Sequence, residues 1–330
     1  MTPVLEISDL QVTFPTMDGR VSAVRGVDLT LDPASVLGVV GESGSGKTVT
    51  MLATLGLLPA SAEVKGSVKF KGRELLGLPP HELRKIRGSG IAMIFQAPRT
   101  SLNPVHTIGH QIVEGIRIHH PEVSRKDAAK RAVELLALVG IPQPDKRARD
   151  YPHQFSGGMC QRAMIAMAVA NDPAVLVADE PTTALDVTIQ AQILDLLRDI
   201  RQEKGVAIVI ISHDLGVVAG LADRVAVMYA GRVVERGSVD DVYERPRHPY
   251  TQGLLASIPR LTDSGHGLLR SIGGGAPSLL TLPTGCVFHP RCAYARPNCQ
   301  VDDPALRPVG PVEAACHYAE EVGATSVLPA

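Results

Sequence analysis

The octapeptide Gly41-Glu42-Ser43-Gly44-Ser45-Gly46-Lys47-Thr48 fits the phosphate-loop pattern G-x-x-x-x-G-K-[ST] at every fixed position. Residues of these types in this order bind a nucleoside triphosphate. Glycines let backbone N–H groups close round phosphate oxygens with no Cβ in the way, and the N-terminus of a following helix adds positive potential. Lys47 brings a mobile full charge to the β- and γ-phosphates, and the Thr48 hydroxyl can ligate Mg²⁺. Farther on, the carboxylates Asp179 and Glu180 close an apolar run at 175–178. In a chain that carries a phosphate loop, such a pair suits a contact to Mg²⁺ from Asp179 and orientation or deprotonation of the attacking water by Glu180. A third stretch, Phe155-Ser156-Gly157-Gly158-Met159, opens a predicted helix at 160–170. The Ser156 hydroxyl, Gly157 and Gly158 then lie at a second positive helix end able to hold phosphate.

These residues need elements to hold them. Val36–Val40, ahead of the loop, reads as a short apolar strand and 49–58, after it, as a helix, which is the order the motif requires. Residues 4–7 and 21–31, with a turn at Met17-Asp18-Gly19, read as strands of an edge sheet. Near-continuous apolar runs at 91–95 and 175–178 suit strands covered on both faces, so the expected fold is α/β. Between them, Ala132, Leu135, Leu136 and Val139 keep helical spacing behind a capping box of Ser124 and Asp127, predicting a helical insertion. Ile189, Ile193, Leu196, Leu197 and Ile200 predict another helix, stopped by Gly205 before a strand at 206–211.

With 330 residues and 45% hydrophobic content, the chain can form one large domain with an appendage, or two domains. Its 33 basic and 34 acidic residues leave a net charge of -1, which excludes the overall positive field that drives sequence-independent nucleic-acid binding. No nucleic-acid partner is expected. The apolar runs fall short of the roughly 20 residues a membrane span needs. The N-terminal residues carry neither the basic nor the apolar region of a signal peptide, so the expected place is the cytoplasm, where disulfides are rare.

The Ser156-Gly157-Gly158 centre, followed by Gln161-Arg162, resembles the signature of ATP-binding cassettes, usually written LSGGQ, from which Phe155 and Met159 depart at the first and last positions. The family's other motifs follow in order. Gln96, in Met93-Ile94-Phe95-Gln96, resembles the Q-loop that reaches the metal. Ala184-Leu185-Asp186 resembles the D-loop, and His213, in Ile211-Ser212-His213-Asp214, resembles the switch histidine that contacts the γ-phosphate. The resemblance covers about residues 4–250. It implies an ABC-type phosphate-loop ATPase core with a β edge subdomain and a helical insertion at about 97–170. It places residues 41–48, Gln96, Ser156, Gly157, Gly158, Asp179 and Asp186 on ATP, with Thr48, Gln96 and Asp179 on Mg²⁺ and Glu180 and His213 in catalysis. Members work as head-to-tail pairs, the signature of one closing over ATP held by the other. They also stack adenine on an aromatic upstream of the phosphate loop, for which Phe14 is the nearest candidate here.

Three further stretches look like the ATPase subunits of dipeptide and oligopeptide importers: 100–104 (Thr-Ser-Leu-Asn-Pro), 181–188 (Pro-Thr-Thr-Ala-Leu-Asp-Val-Thr) and 248–251 (His-Pro-Tyr-Thr). Nickel importers of the same group are similar. The implied setting is the cytoplasmic face of the membrane, where the chain is peripheral. Its implied partners are a second, different cassette subunit, two transmembrane permeases that dock on the helical insertion, and an extracytoplasmic substrate-binding protein. A non-transport cassette ATPase would call for tandem cassettes or a long coiled-coil insertion, and a basic surface.

After about residue 250 Pro and Gly crowd together, and Cys286, Cys292, Cys299 and Cys316 follow as C-x5-C-x6-C-x16-C. The expectation is a cassette at 1–250 and a small cysteine-rich module at 251–330. Four thiolates in a loop-rich, reducing setting suit a Cys₄ zinc site or an iron–sulfur cluster, and the loose spacing disfavours the usual zinc knuckle. The peptide-importer resemblance implies a [4Fe-4S] cluster. His289 and His317, beside cysteines, could replace one as ligand, with solvent-facing imidazoles the plainer expectation. Cys160 at a predicted helix start reads as a small filler.

Overall fold

The computed structural model describes residues 2–183, 185–258 and 272–322; Ala184, first of the D-loop-like triplet, lies outside them. The strands among these residues are β1 (Leu5–Thr16), β2 (Gly19–Leu31), β3 (Val36–Val40), β4 (Glu63–Phe70), β5 (Arg73–Glu74), β6 (Ile91–Ile94), β7 (Val175–Asp179), β8 (Ala207–Ser212), β9 (Arg224–Tyr229), β10 (Arg232–Ser238), β11 (Arg307–Val309) and β12 (Val312–Ala314). The chain divides into two compact units. Their described residues are 2–4, 31–35, 77–183 and 185–210 in one, and 5–30, 36–76, 211–258 and 272–322 in the other.

The second unit contains the expected edge sheet, of order β2-β1-β4-β5. β1 pairs antiparallel with β4 from Leu5↔Phe70 to Thr13↔Glu63, and the register shifts between Ser8 and Gln11. This bulge explains a sequence pattern that no single alternation fits: Leu5 and Ile7 are buried before it, Leu10 and Val12 after it. One extra residue reverses the inward phase. Asp9 takes up the change at φ 45°. Facing it, Gly66 is obligatory, since a Cβ there would lie 2.4 Å from the Asp9 carbonyl oxygen.

The same unit holds strands in the order β11-β12-β10-β9-β3. β3 runs parallel to β9, Leu37↔Arg224 to Val40↔Val227, and all five β3 residues are buried. Helix Leu215–Ala219 lies so close that a Cβ on Gly38 would come within 2.2 Å of Val218 Cγ1. The tail, expected as a small module of its own, adds to these strands: β12 pairs antiparallel with β10 at Glu235↔Ala314 and Arg236↔Glu313. Cross-strand pairing carries no short-range sequence period, so composition alone marked the tail as separate.

In the first unit the strand order is β8-β7-β6, with β6 parallel to β7 from Ile91↔Val175 to Ile94↔Ala178. Parallel strands covered on both faces read as apolar runs, and here Val175 to Ala178 are fully buried. The insertion folds as helices, chiefly Ile108–His119, Arg125–Leu138 and Gly157–Ala168. The Ser124 hydroxyl accepts the Asp127 N–H at 3.1 Å, so the capping box starts its helix where the sequence predicts. Asp186 caps Val187–Lys204, and Gly205 ends it at φ 64°. Among the described residues no helix is long and apolar enough to cross a membrane.

Candidate nucleotide site

In the second unit the phosphate loop joins β3 to helix Lys47–Thr54. The helix begins two residues earlier than the sequence predicts, so Lys47 and Thr48 form its first turn. Gly41, Gly44 and Gly46 have φ of 152°, 79° and 99°. Two are also sterically required: a Cβ on Gly41 would sit 2.2 Å from the Met228 carbonyl oxygen, and one on Gly46 would sit 2.5 Å from that of Ala23. No side chain caps this helix. Its amide dipoles point at the loop and add positive potential there.

Lys47 is 5% exposed. Its Nζ donates to the carbonyl oxygens of Gly41 at 2.7 Å and Glu42 at 2.9 Å, and to Ser45 Oγ at 3.4 Å. The loop is thus closed round its own lysine. Glu42 N–H donates to the Tyr250 hydroxyl at 2.7 Å, while Ser43 and Gly44 are exposed and Thr48 is half-buried. Phe14, the adenine candidate, is half-buried on β1.

In the first unit β7 ends in Asp179, which is 3% exposed. Glu180 follows at φ 47°, a left-handed backbone that a non-glycine residue adopts at a cost of about 1–3 kcal/mol. Its Oε2 accepts the Gln96 amide at 2.8 Å and the Thr183 hydroxyl at 2.7 Å. Gln96 and Glu180 are therefore brought together from positions 84 apart in sequence. Thr183 is a site residue that sequence reasoning missed. Its signal is a hydroxyl three residues after a strand-end carboxylate, the spacing at which a side chain reaches back across a tight turn.

The Ser156-Gly157-Gly158 centre differs from expectation in register: helix Gly157–Ala168 starts at Gly157, and Ser156 is its N-cap, accepting the Met159 N–H at 3.2 Å. A hydroxyl used this way keeps its own proton to donate. Ser156 is exposed and Phe155 is buried, so the departure at Phe155 is a packing choice. A Cβ on Gly158 would meet Ile189 at 3.1 Å. Arg162 donates to Gln192 at 2.9 Å, and both contacts lead to the helix capped by the exposed Asp186, whose carboxylate accepts the Ile189 N–H at 2.9 Å. Cys160 is fully buried, with its thiol 3.6 Å from the Pro152 carbonyl oxygen, as a filler would be. His213, in the second unit, is exposed beyond β8.

In the tail, Cys286, Cys292, Cys299 and Cys316 all line one cavity of about 20 Å³, together with Phe288 and Tyr318. Burial is the chief cause that holds the Cys292 thiol up at about 11 and that of Cys316 at about 12, with the neighbouring thiols adding to it. The expected metal centre is not seen as such: among the described residues no group of three His, Cys, Asp or Glu side chains is set to hold a metal ion. His289 and His317 line the same cavity. His289 Nδ1 lies 2.9 Å from the Cys286 carbonyl oxygen and His317 Nε2 lies 2.9 Å from that of Asp302.

Comparison with known proteins bears on the whole chain. The family model described as "ABC transporter" matches residues 24–183, and that of the "oligopeptide/dipeptide transporter, C-terminal region" matches residues 234–299. The oligopeptide transport ATP-binding protein OppD of Bacillus subtilis is 52% identical over 297 residues, covering 89% of this chain and 83% of that one. Its Escherichia coli counterpart is 50% identical over 301 residues, 91% of this chain and 89% of its own. The Mycobacterium tuberculosis OppD is 52% identical over 306 residues, 93% of this chain, which spans only 50% of that longer protein. Among solved structures, a dimeric ATP-binding cassette in a post-hydrolysis state with ADP and Pi superimposes with a TM-score of 0.64 at 27% identity, over 71% of this chain and 98% of its own. CbiO1 of Clostridium perfringens, part of the transporter complex CbiONQ, gives 0.61 at 26% identity, over 74% and 91%. These likenesses run through both the cassette and the tail, and the chain belongs to the ABC transporter family, within its group of oligopeptide transport ATP-binding proteins.

Proposed function

We propose that the protein is the ATP-hydrolysing subunit that powers import of di- and oligopeptides, attached peripherally at the cytoplasmic face of the membrane. The observation that carries the catalytic part is Glu180: a carboxylate set in costly backbone and gripped by Gln96 and Thr183 is positioned for a task that packing does not require. The peptide part rests on the relatives' names and on the tail match. In this reading residues 41–48 hold the phosphates, with Lys47 as their full countercharge. Glu180 takes the proton of the attacking water and His213 contacts the γ-phosphate. Mg²⁺, which would neutralise phosphate charge, would be held by Thr48, Gln96 and Asp179. A hydroxyl, a carboxylate and an amide oxygen are the ligand types a hard cation takes.

The working unit is a pair of cassettes, in which Ser156, Gly157 and Gly158 of one chain close over ATP held by the other, flanked by Asp186. The second cassette is a different chain, and the pair drives two permeases fed by an extracytoplasmic binding protein. Residues 1–250 form the cassette, with 97–170 as its helical part, and 251–330 the importer-specific extension. In proteoliposomes carrying the assembled complex, adding peptide with its binding protein is expected to raise ATP turnover severalfold and to carry peptide inside. Stimulation by nickel and not by any peptide would reassign the cargo.

The four tail thiols are proposed to hold a [4Fe-4S] cluster. One zinc ion, about 2.3 Å from each sulfur, needs the sulfurs about 3.8 Å apart. The support for the cluster is that the four thiols line one cavity, a Cys₄ set of the kind such a cluster takes. Protein isolated without oxygen is expected to be brown, with broad absorption near the blue end of the visible and about four iron and four sulfide per chain. Cys316→Ser should lose both. Colourless protein loaded with zinc would reject the cluster.

A further inference from the structure

Among the charged pairs outside the mechanism, one reaches the phosphate loop. Arg291 lies in the short loop between Cys286 and Cys292, yet its guanidinium meets the phosphate loop: Nη1 and Nη2 donate to Glu42 Oε2 and Oε1 at 2.8 and 2.9 Å, a bidentate fork from 249 positions away. The Arg291 side chain is only 7% exposed. Nη1 also reaches the Tyr229 hydroxyl at 3.3 Å, and Nε donates to the Gly273 carbonyl oxygen at 2.9 Å. The surroundings are aromatic. Phe288, from the same cysteine loop, packs edge-on against Tyr229 at 5.2 Å and lies 5.5 Å from Tyr250, whose hydroxyl accepts the Glu42 N–H. Both the backbone and the side chain of Glu42 are therefore fixed through a cluster that the tail completes.

Chemistry makes this pairing consequential. Glu42 puts a carboxylate on a loop whose ligand is a polyanion, and an uncompensated negative charge there would repel the phosphates and loosen the loop. A bidentate arginine neutralises it and fixes its geometry at once. We propose that Arg291 is a positioning residue for nucleotide binding, by which the cysteine-bearing tail neutralises and holds Glu42 and so sets the affinity of the phosphate loop for ATP. The inference rests on residues 41–48 being the nucleotide site.

The test is ATP affinity of the full chain, read with a fluorescent ATP analogue. Arg291→Met is expected to weaken binding by about tenfold, within the range of ordinary site coupling. Arg291→Lys, which keeps the charge and loses the fork, should cost less. The decisive variant is Glu42→Gln combined with Arg291→Met, which removes the stranded carboxylate and is expected to recover most of the lost affinity. A purely structural Arg291 gives no such rescue. The proposal is overturned if Arg291→Met binds ATP as tightly as the unaltered chain, or if the double variant binds no better than Arg291→Met. Should Arg291→Met not fold, Arg291→Lys with and without Glu42→Gln makes the same comparison. Failure of the unaltered chain to bind ATP would instead remove the nucleotide reading itself.

Discussion

Replacing Glu180 with Gln is expected to cut ATP turnover by about 10²–10⁴-fold, the usual contribution of a positioned general base, while leaving ATP bound. The substitution is nearly isosteric, and its amide oxygen can still accept from Gln96 or Thr183, which now hold Oε2 at 2.8 and 2.7 Å. What it loses is the capacity to take a proton. In the proposed pair, contacts that depend on triphosphate would persist when hydrolysis is blocked, shifting the population toward the closed pair. Size-exclusion chromatography of the variant should show a dimer in ATP and a monomer in ADP. Unchanged steady-state turnover by Glu180→Gln would mean that the proton goes elsewhere.

How far such a site can be read from sequence depends on the range of the interactions that build it. The phosphate loop is legible because every constraint on it is local: Gly41, Gly44 and Gly46 stand where the backbone turns to positive φ, and Lys47 reaches back only six residues to Gly41. The helix start at Ser124 is legible for the same reason, since the cap and its amide are three residues apart. The first strand shows where that reasoning stops. Its alternation changes phase at a bulge set by β4, some 55 residues on, so residues 4–7 are recognised and 8–16 are not. The grip of Gln96 on Glu180 and of Arg291 on Glu42 is invisible to any window, and so is the left-handed backbone of Glu180, which no glycine announces. Cysteine spacing is legible as a count of possible ligands. How the four thiols are placed depends on the turns at 289–291 and 297–300, which spacing does not specify.

Lys47→Ala should separate binding from chemistry in the opposite direction. With a buried ammonium donating to two carbonyl oxygens and one hydroxyl, Lys47 serves the loop before any ligand arrives. On binding, the same charge is shared with phosphate oxygens, and charge-assisted hydrogen bonds contribute about 1.5–3 kcal/mol each. Two such bonds correspond to a loss of ATP affinity of about 10²-fold or more. The neutral variant also leaves the Gly41 and Glu42 carbonyl oxygens without their donor, so the loop should lose its closed form as well as its countercharge. Lys47→Arg is expected to do little better, because a planar fork cannot replace a compact ammonium in so enclosed a position. Direct titration with ATP distinguishes the two variants: Glu180→Gln binds and does not turn over, whereas Lys47→Ala does not bind at concentrations that saturate the unaltered chain. Retained affinity in Lys47→Ala would show that backbone amides and the helix end suffice to hold the phosphates. The closed loop seen around Lys47 would then be a device of folding alone.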